Sequence, residues 1–210
     1  PFANAPKPAK RAQATGTEPD NGNVAELYAR GLALVPESLG APGATEACQK
    51  ALPYFLDAKR LAPDDLNIIS QLGYCYLGLG KTDQAIASFR YFVKRMPDDA
   101  WAHNCLGTAL SDKGLTDEAI EEYRTAIRLE PGYASAHGNL GNMLADKGMT
   151  DEAIEEYRTT IRLKPDDGMA HCNLGNMLAD KGRADEAIKE YRTAIRLEPD
   201  DATNHFNLGN

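Results

Sequence analysis

Residues 134–167 read ASAHGNLGNMLADKGMTDEAIEEYRTTIRLKPDD. Their Pro165 belongs to a series, Pro63, Pro97, Pro131, Pro165 and Pro199, spaced 34 residues apart. The same spacing links Leu72-Gly73, Leu106-Gly107, Leu140-Gly141, Leu174-Gly175 and Leu208-Gly209, and again Ala85, Ala119, Ala153 and Ala187. A fixed period at this length marks stacked supersecondary units, each too small to bury its own apolar face.

Inside the unit, His137, Leu140, Gly141 and Leu144 recur at steps of three and four, the pattern of one helix face. Gly148 is placed to end that helix in a left-handed conformation, and Thr150 to cap the next. Asp151 and Glu152 fall in the first turn of the second helix and Arg158, Arg162 and Lys164 toward its end, both matching the helix dipole. Pro165 stops this helix, and Asp166 with Asp167 caps its successor. Gly141 and Ala153 are small where the two helices must cross closely.

This unit resembles a tetratricopeptide repeat, and the resemblance covers residues 24–201 with Leu-Gly, Ala, Tyr or Phe, and Pro at the motif positions. It implies an all-α protein, a right-handed α-solenoid of stacked helix-turn-helix repeats. The expected order is an N-terminal arm without regular structure (1–23), an irregular first repeat (24–65), regular repeats at 66–99, 100–133, 134–167 and 168–201, and the start of another at 202–210. The arrays are also similar to the repeat arm of O-linked N-acetylglucosamine transferase.

The first repeat carries eight surplus residues, assigned to a loop in VPESLGAPGATEAC, and Pro53 kinks its second helix only if that helix starts as early as Thr45. The second repeat is aromatic, with Tyr74, Tyr76, Phe89, Tyr91 and Phe92; Phe92 is expected to fill space beside the irregular first repeat. A net charge of −8 and a pI near 5.0 argue against a nucleic-acid partner or an anionic membrane surface. No apolar run approaches the roughly 20 residues of a membrane span. The chain opens on Pro1 and a Pro/Ala/Lys/Gly-rich segment, which leaves two origins open: a fragment, or a mature terminus after signal-peptide removal, periplasmic or secreted.

No phosphate loop, nucleophile elbow or carboxylate pair in a cleft is present, so no catalytic residues, cofactor or metal are expected. His103, His137, His171 and His205 share one repeat position, about a helix-packing distance apart, too far to share a metal ion; a packed, half-buried imidazole is expected. Cys48, Cys75, Cys105 and Cys172 lack metal-site spacing; Cys48 and Cys75 fall on adjoining helices, where a disulfide in an oxidising compartment competes with a reading as small buried residues. Glu121-Glu122 and Glu155-Glu156 read as a solvated face paired with arginines one turn on.

In the tetratricopeptide family the first helices line the binding groove. Carried over by position, the resemblance places Asn139, Asn173 and Asn207 in one row and Asn142, Asn176 and Asn210 in a second, with Tyr74, Trp101, Asn104 and Thr108 in the preceding repeats and Asp112, Asp146 and Asp180 along the edge. Amides donate and accept, which suits an extended peptide backbone. The clamp for a C-terminal carboxylate lacks its cations: Ser70, Asn104, Gly138 and Cys172 stand in one of its rows and Asn67, Trp101, Ser135 and Met169 in the other. The aspartates favour a neutral or basic segment. The resulting expectation is a non-catalytic interaction scaffold in a larger complex. Two alternatives stay open: the substrate-recruiting arm of a longer enzyme such as a glycosyltransferase, and a homo-oligomer self-assembling through its solenoid ends.

Overall fold

The computed structural model describes residues 21–36 and 38–199; the expected sites at Asn207 and Asn210, His205, and the further repeat at 202–210 lie outside them. Among the described residues there are ten helices and no strand, paired into five antiparallel hairpins. Two compact units divide between Leu129 and Glu130. The first holds α1 (Asn21–Leu34), α2 (Ala44–Leu61), α3 (Leu66–Gly78), α4 (Thr82–Arg95), α5 (Ala100–Asp112) and α6 (Thr116–Leu129). The second holds α7 (Ala134–Asp146), α8 (Thr150–Leu163), α9 (Gly168–Asp180) and α10 (Ala184–Leu197). Within each unit every helix packs on its sequence neighbour, and first helices also touch, α3 on α5 and α7 on α9. Each unit is thus a stretch of all-α helical-repeat solenoid.

The tight turn of the hairpin has a specific geometry. Gly148 adopts φ +73°, its N–H donates to the Ala145 carbonyl at 2.9 Å, and the Met149 N–H reaches back to Leu144 O at 2.9 Å, a Schellman close. Gly80, Gly114 and Gly182 repeat it. So short a turn leaves Met149, not Thr150, as the N-cap of α8, without a side-chain cap, and Thr150 is the first helical residue. Between units of the array the expected caps form: the Asp65, Asp99 and Asp167 carboxylates accept from the first-turn amides of α3, α5 and α9. Tyr133 holds the equivalent place before α7 and makes no such bond.

The small residue of the Leu-Gly pair has one function throughout. A Cβ on Gly141 would sit 2.8 Å from Tyr157 Cε1, on Gly107 2.7 Å from Tyr123 Cε1 and on Gly175 2.5 Å from Tyr191 Cε1, all in the second helix of the same hairpin. Gly31 meets Phe55 and Gly73 meets Phe89 in the same way. An aromatic ring is seated where the glycine leaves room, so the first helix can close on the second.

The first hairpin departs from expectation in extent. α2 starts at Ala44, so the loop ends at Gly43 and the residues ATEAC are helical; Pro53 lies inside α2, where it has no N–H to give to the carbonyl one turn back. The loop is itself packed: Val35 and Leu39 are buried, Leu39 lies over α3 beside Gly78, Thr45 donates to the Gly78 carbonyl at 3.1 Å and Tyr74 to Pro36 O at 3.4 Å. The Phe92 ring stands edge-on to Trp101 at 6.2 Å, with Phe89 at 5.8 Å from the same indole, where α4 packs on α5.

Histidines clamp successive repeats. His137 Nδ1 meets Glu156 Oε2 at 2.6 Å and its Nε2 meets the Pro131 carbonyl at 3.1 Å; His171 does the same with Glu190 (2.6 Å) and Pro165 (3.2 Å), and His103 with Glu122 and Pro97. Each ring is 7–8% exposed. Glu122 and Glu156 are therefore not on the solvated face expected for them. They lie three residues after Ala119 and Ala153, on the inward side, whereas Glu121 and Glu155, about 100° further round, make the exposed pairs with Arg124 and Arg158. Burial works against a charge on His103 and His137, yet the carboxylate and carbonyl partners outweigh it and raise both pKa values.

Candidate functional site

The two units present different first-helix faces. In the first unit Tyr74 and Asn104 are fully buried, Thr108 is 4% exposed, and Trp101 is half-buried against Phe89 and Phe92. Burial pushes the Tyr74 phenol pKa up. Thr108 Oγ1 donates to the Asn104 carbonyl at 3.0 Å and accepts from the Tyr123 hydroxyl at 3.3 Å. Three of these four side chains are thus inside the helix packing, not on a surface that a partner could reach. Tyr74 and Thr108 stand at the positions of Asn142 and Asn176, while Gln71 and Cys105, both buried, stand at those of Asn139 and Asn173. Asp112, at the end of α5, is half-buried; its Oδ2 has no hydrogen-bond partner, and burial raises its pKa.

The second unit carries the amides. Asn139 is buried at 7% exposure, whereas Asn142, Asn173 and Asn176 are half-buried and Asp146 and Asp180 are exposed at the helix ends. Asn142 and Asn173, on α7 and α9, are brought together: Asn173 Nδ2 donates to Asn142 Oδ1 at 3.0 Å. The same oxygen accepts from the Tyr157 hydroxyl of α8 at 2.8 Å. With two donors converging on it, the carbonyl end of Asn142 is turned inward and its NH2 group outward. One repeat on, the Tyr191 hydroxyl donates to Asn176 Oδ1 at 2.9 Å. Tyr157 is 3% exposed and Tyr191 6%, so the phenols are rigid parts of the core that set the amide orientation.

These tyrosines were absent from the residues expected at the site, although their spacing contains the signal. Tyr123, Tyr157 and Tyr191 each follow Thr108, Asn142 and Asn176 by 15 residues, and where Tyr74 replaces the amide, Phe89 replaces the tyrosine. Hydroxyl and acceptor vary together from repeat to repeat. On the same first helices Met143 and Met177 are half-buried and Met169 is exposed. Among the described residues no group of three His, Cys, Asp or Glu side chains is placed to hold a metal ion, and no helix is long and apolar enough to cross a membrane.

A tetratricopeptide-repeat model matches residues 70–134 and 106–168, and a TPR-repeat model matches residues 175–210. Among solved structures, that of MamA is 30% identical, over 73% of this chain and 90% of its own, with a TM-score of 0.66. A thermophilic TPR protein of Thermus thermophilus, 24% identical over 90% of this chain and 96% of its own (TM-score 0.66), has the same fold. So does YrrB, described as a TPR protein with an unusual peptide-binding site, at 19% identity over 89% and 95% of the two chains (TM-score 0.64). None of the curated proteins matches this chain.

Proposed function

Because this chain belongs to the tetratricopeptide-repeat family, we propose that it is a non-catalytic interaction scaffold that takes an extended segment of a partner protein along the first-helix face of its second unit. The observation that carries this reading is the Asn142–Asn173 pair. Two half-exposed amides are locked against each other and against Tyr157, and they offer the Asn142 N–H groups and the Asn173 carbonyl to the outside. A peptide unit has the complementary carbonyl and N–H, so such a pair reads main chain rather than side chains. The same fold carries a peptide-binding site in YrrB.

Charge sets the class of partner. Asp146 and Asp180 are exposed beside the amides, and the whole chain carries −8, so a neutral or basic segment is favoured and an acidic tail is opposed. The test is fluorescence anisotropy with a library of labelled extended peptides, neutral and basic, on the chain and on its Asn142→Ala and Asn173→Ala variants. Each lost neutral hydrogen bond is worth about 0.5–1.5 kcal/mol, so each variant should weaken the best peptide by roughly 2- to 10-fold without altering its side-chain preferences. Undiminished binding in both variants moves the site away from this face.

A further inference from the structure

Cys48 on α2 and Cys75 on α3 are both free and both fully buried. Two observations place their sulfurs against each other. A Cβ on Gly78, one helical turn beyond Cys75, would lie 2.7 Å from Cys48 Sγ, so that sulfur rests on the same strip of α3. The two side chains are also close enough for each to perturb the titration of the other. The pair joins the first hairpin to the second, and the first hairpin is the irregular one, with Pro53 inside α2 and a packed loop in place of a tight turn.

We propose that Cys48 and Cys75 are a redox-closable pair, which a small-molecule disulfide such as oxidised glutathione converts into a disulfide that fastens α2 to α3. Either cysteine can attack first, and for Cys48 the exchange runs through a mixed disulfide. The Cys48 thiolate attacks one glutathione sulfur, its S–S bond breaks, and one glutathione thiolate leaves. Cys75 then loses its proton and attacks Cys48 Sγ, and the second glutathione thiolate leaves. Two protein thiols are oxidised, one glutathione disulfide is reduced, and the two protons end on the two glutathione thiols. Access comes from local opening of the irregular first hairpin, or from the folding chain before α2 docks. The closed bridge withdraws conformational freedom from the chain between residues 48 and 75 and so stabilises the first repeat most.

The test uses the full 210-residue chain, incubated with oxidised glutathione in native buffer and, in parallel, refolded from urea in a glutathione redox buffer. Expected are a mass lower by two hydrogens, a non-reducing peptide map joining Cys48 to Cys75 with Cys105 and Cys172 still alkylatable, and a melting temperature roughly 5–10 °C above that of the reduced chain. Cys48→Ala with Cys75→Ala should abolish the difference between oxidised and reduced samples. A stable glutathione adduct without closure, bridges that join Cys105 instead, free thiols at both positions after oxidative refolding, or a lower melting temperature for the bridged form would each overturn the proposal.

Discussion

Glu156→Gln tests the histidine clamp. In the native chain a carbonyl, which can only accept, faces His137 Nε2, and a carboxylate faces Nδ1. Both nitrogens thus face acceptors, an arrangement that favours the imidazolium. Burial opposes the charge, but Glu156 and the Pro131 carbonyl outweigh burial and the opposing Arg162, and the pKa stands above its ordinary 6.5. Glutamine still accepts from Nδ1 but without charge. The expected loss is the difference between a charge-assisted and a neutral hydrogen bond, about 1–1.5 kcal/mol. The sign with pH follows from the raised value: the contribution is fully present below the unfolded-state pKa and disappears as pH rises through the folded one. At its steepest this removes about 1.4 kcal/mol per pH unit for each histidine that stays protonated only in the folded state, and His103, held by Glu122, Pro97 and Asp99, acts in the same direction. Urea unfolding followed by circular dichroism between about pH 6 and 8.5 should show wild-type stability falling with pH, and a shallower fall in Glu156→Gln, whose deficit is largest at the acid end. A wild type more stable at the alkaline end, or identical slopes for the two proteins, would refute the assignment of an imidazolium to the clamp.

Gly141→Leu should lower stability by about 1–3 kcal/mol, seen as a reduced melting temperature, because its Cβ would arrive 2.8 Å from a Tyr157 ring that is 3% exposed and cannot retreat. Tyr157→Phe should weaken peptide binding more than it changes the fold, since it removes one of the two donors that orient the Asn142 carbonyl while retaining the ring under Gly141; heteronuclear NMR of the Asn142 amide would read the change. Asp167→Ala removes the side chain that accepts from the Ala170 N–H at 3.1 Å and should cost about 1 kcal/mol, whereas Thr150→Ala, at a helix start with no side-chain cap, should be near neutral in the same urea titration. Phe92→Ala should alter the emission of Trp101, the single tryptophan, and an unchanged spectrum would count against the edge-on stack.

Much of the fold was legible because a period constrains backbone and neighbours together. The stop at Pro165, the left-handed Gly148 and the capping Asp167 act within a few residues of themselves, and no distant group has to be known to predict them. Gly141 was placed at the crossing for the right steric reason, although what presses on it is the Tyr157 ring and not the Ala153 backbone. Thr150 failed as a cap because the Schellman close spends one residue fewer than a capped turn needs.

The sequence by itself determined that the chain is a series of helical hairpins and which small and aromatic residues recur. Only the tertiary structure decided which polar residues face inward. Glu156 and Glu155 are adjacent and chemically identical, yet one binds His137 and the other lies in solvent, because a single residue step turns a helix by about 100° and the packing angle selects one of the two. The surroundings of each hairpin likewise buried Tyr74, Asn104 and Thr108 but left Asn173, and Asn142 and Asn176 at the same repeat position as Tyr74 and Thr108, half-buried. The tertiary structure also set two cysteines 27 positions apart against each other on α2 and α3. A repeat motif specifies the hairpin, but the partner of each side chain depends on the helix that the next hairpin lays beside it, and that geometry exists only once the hairpins are stacked.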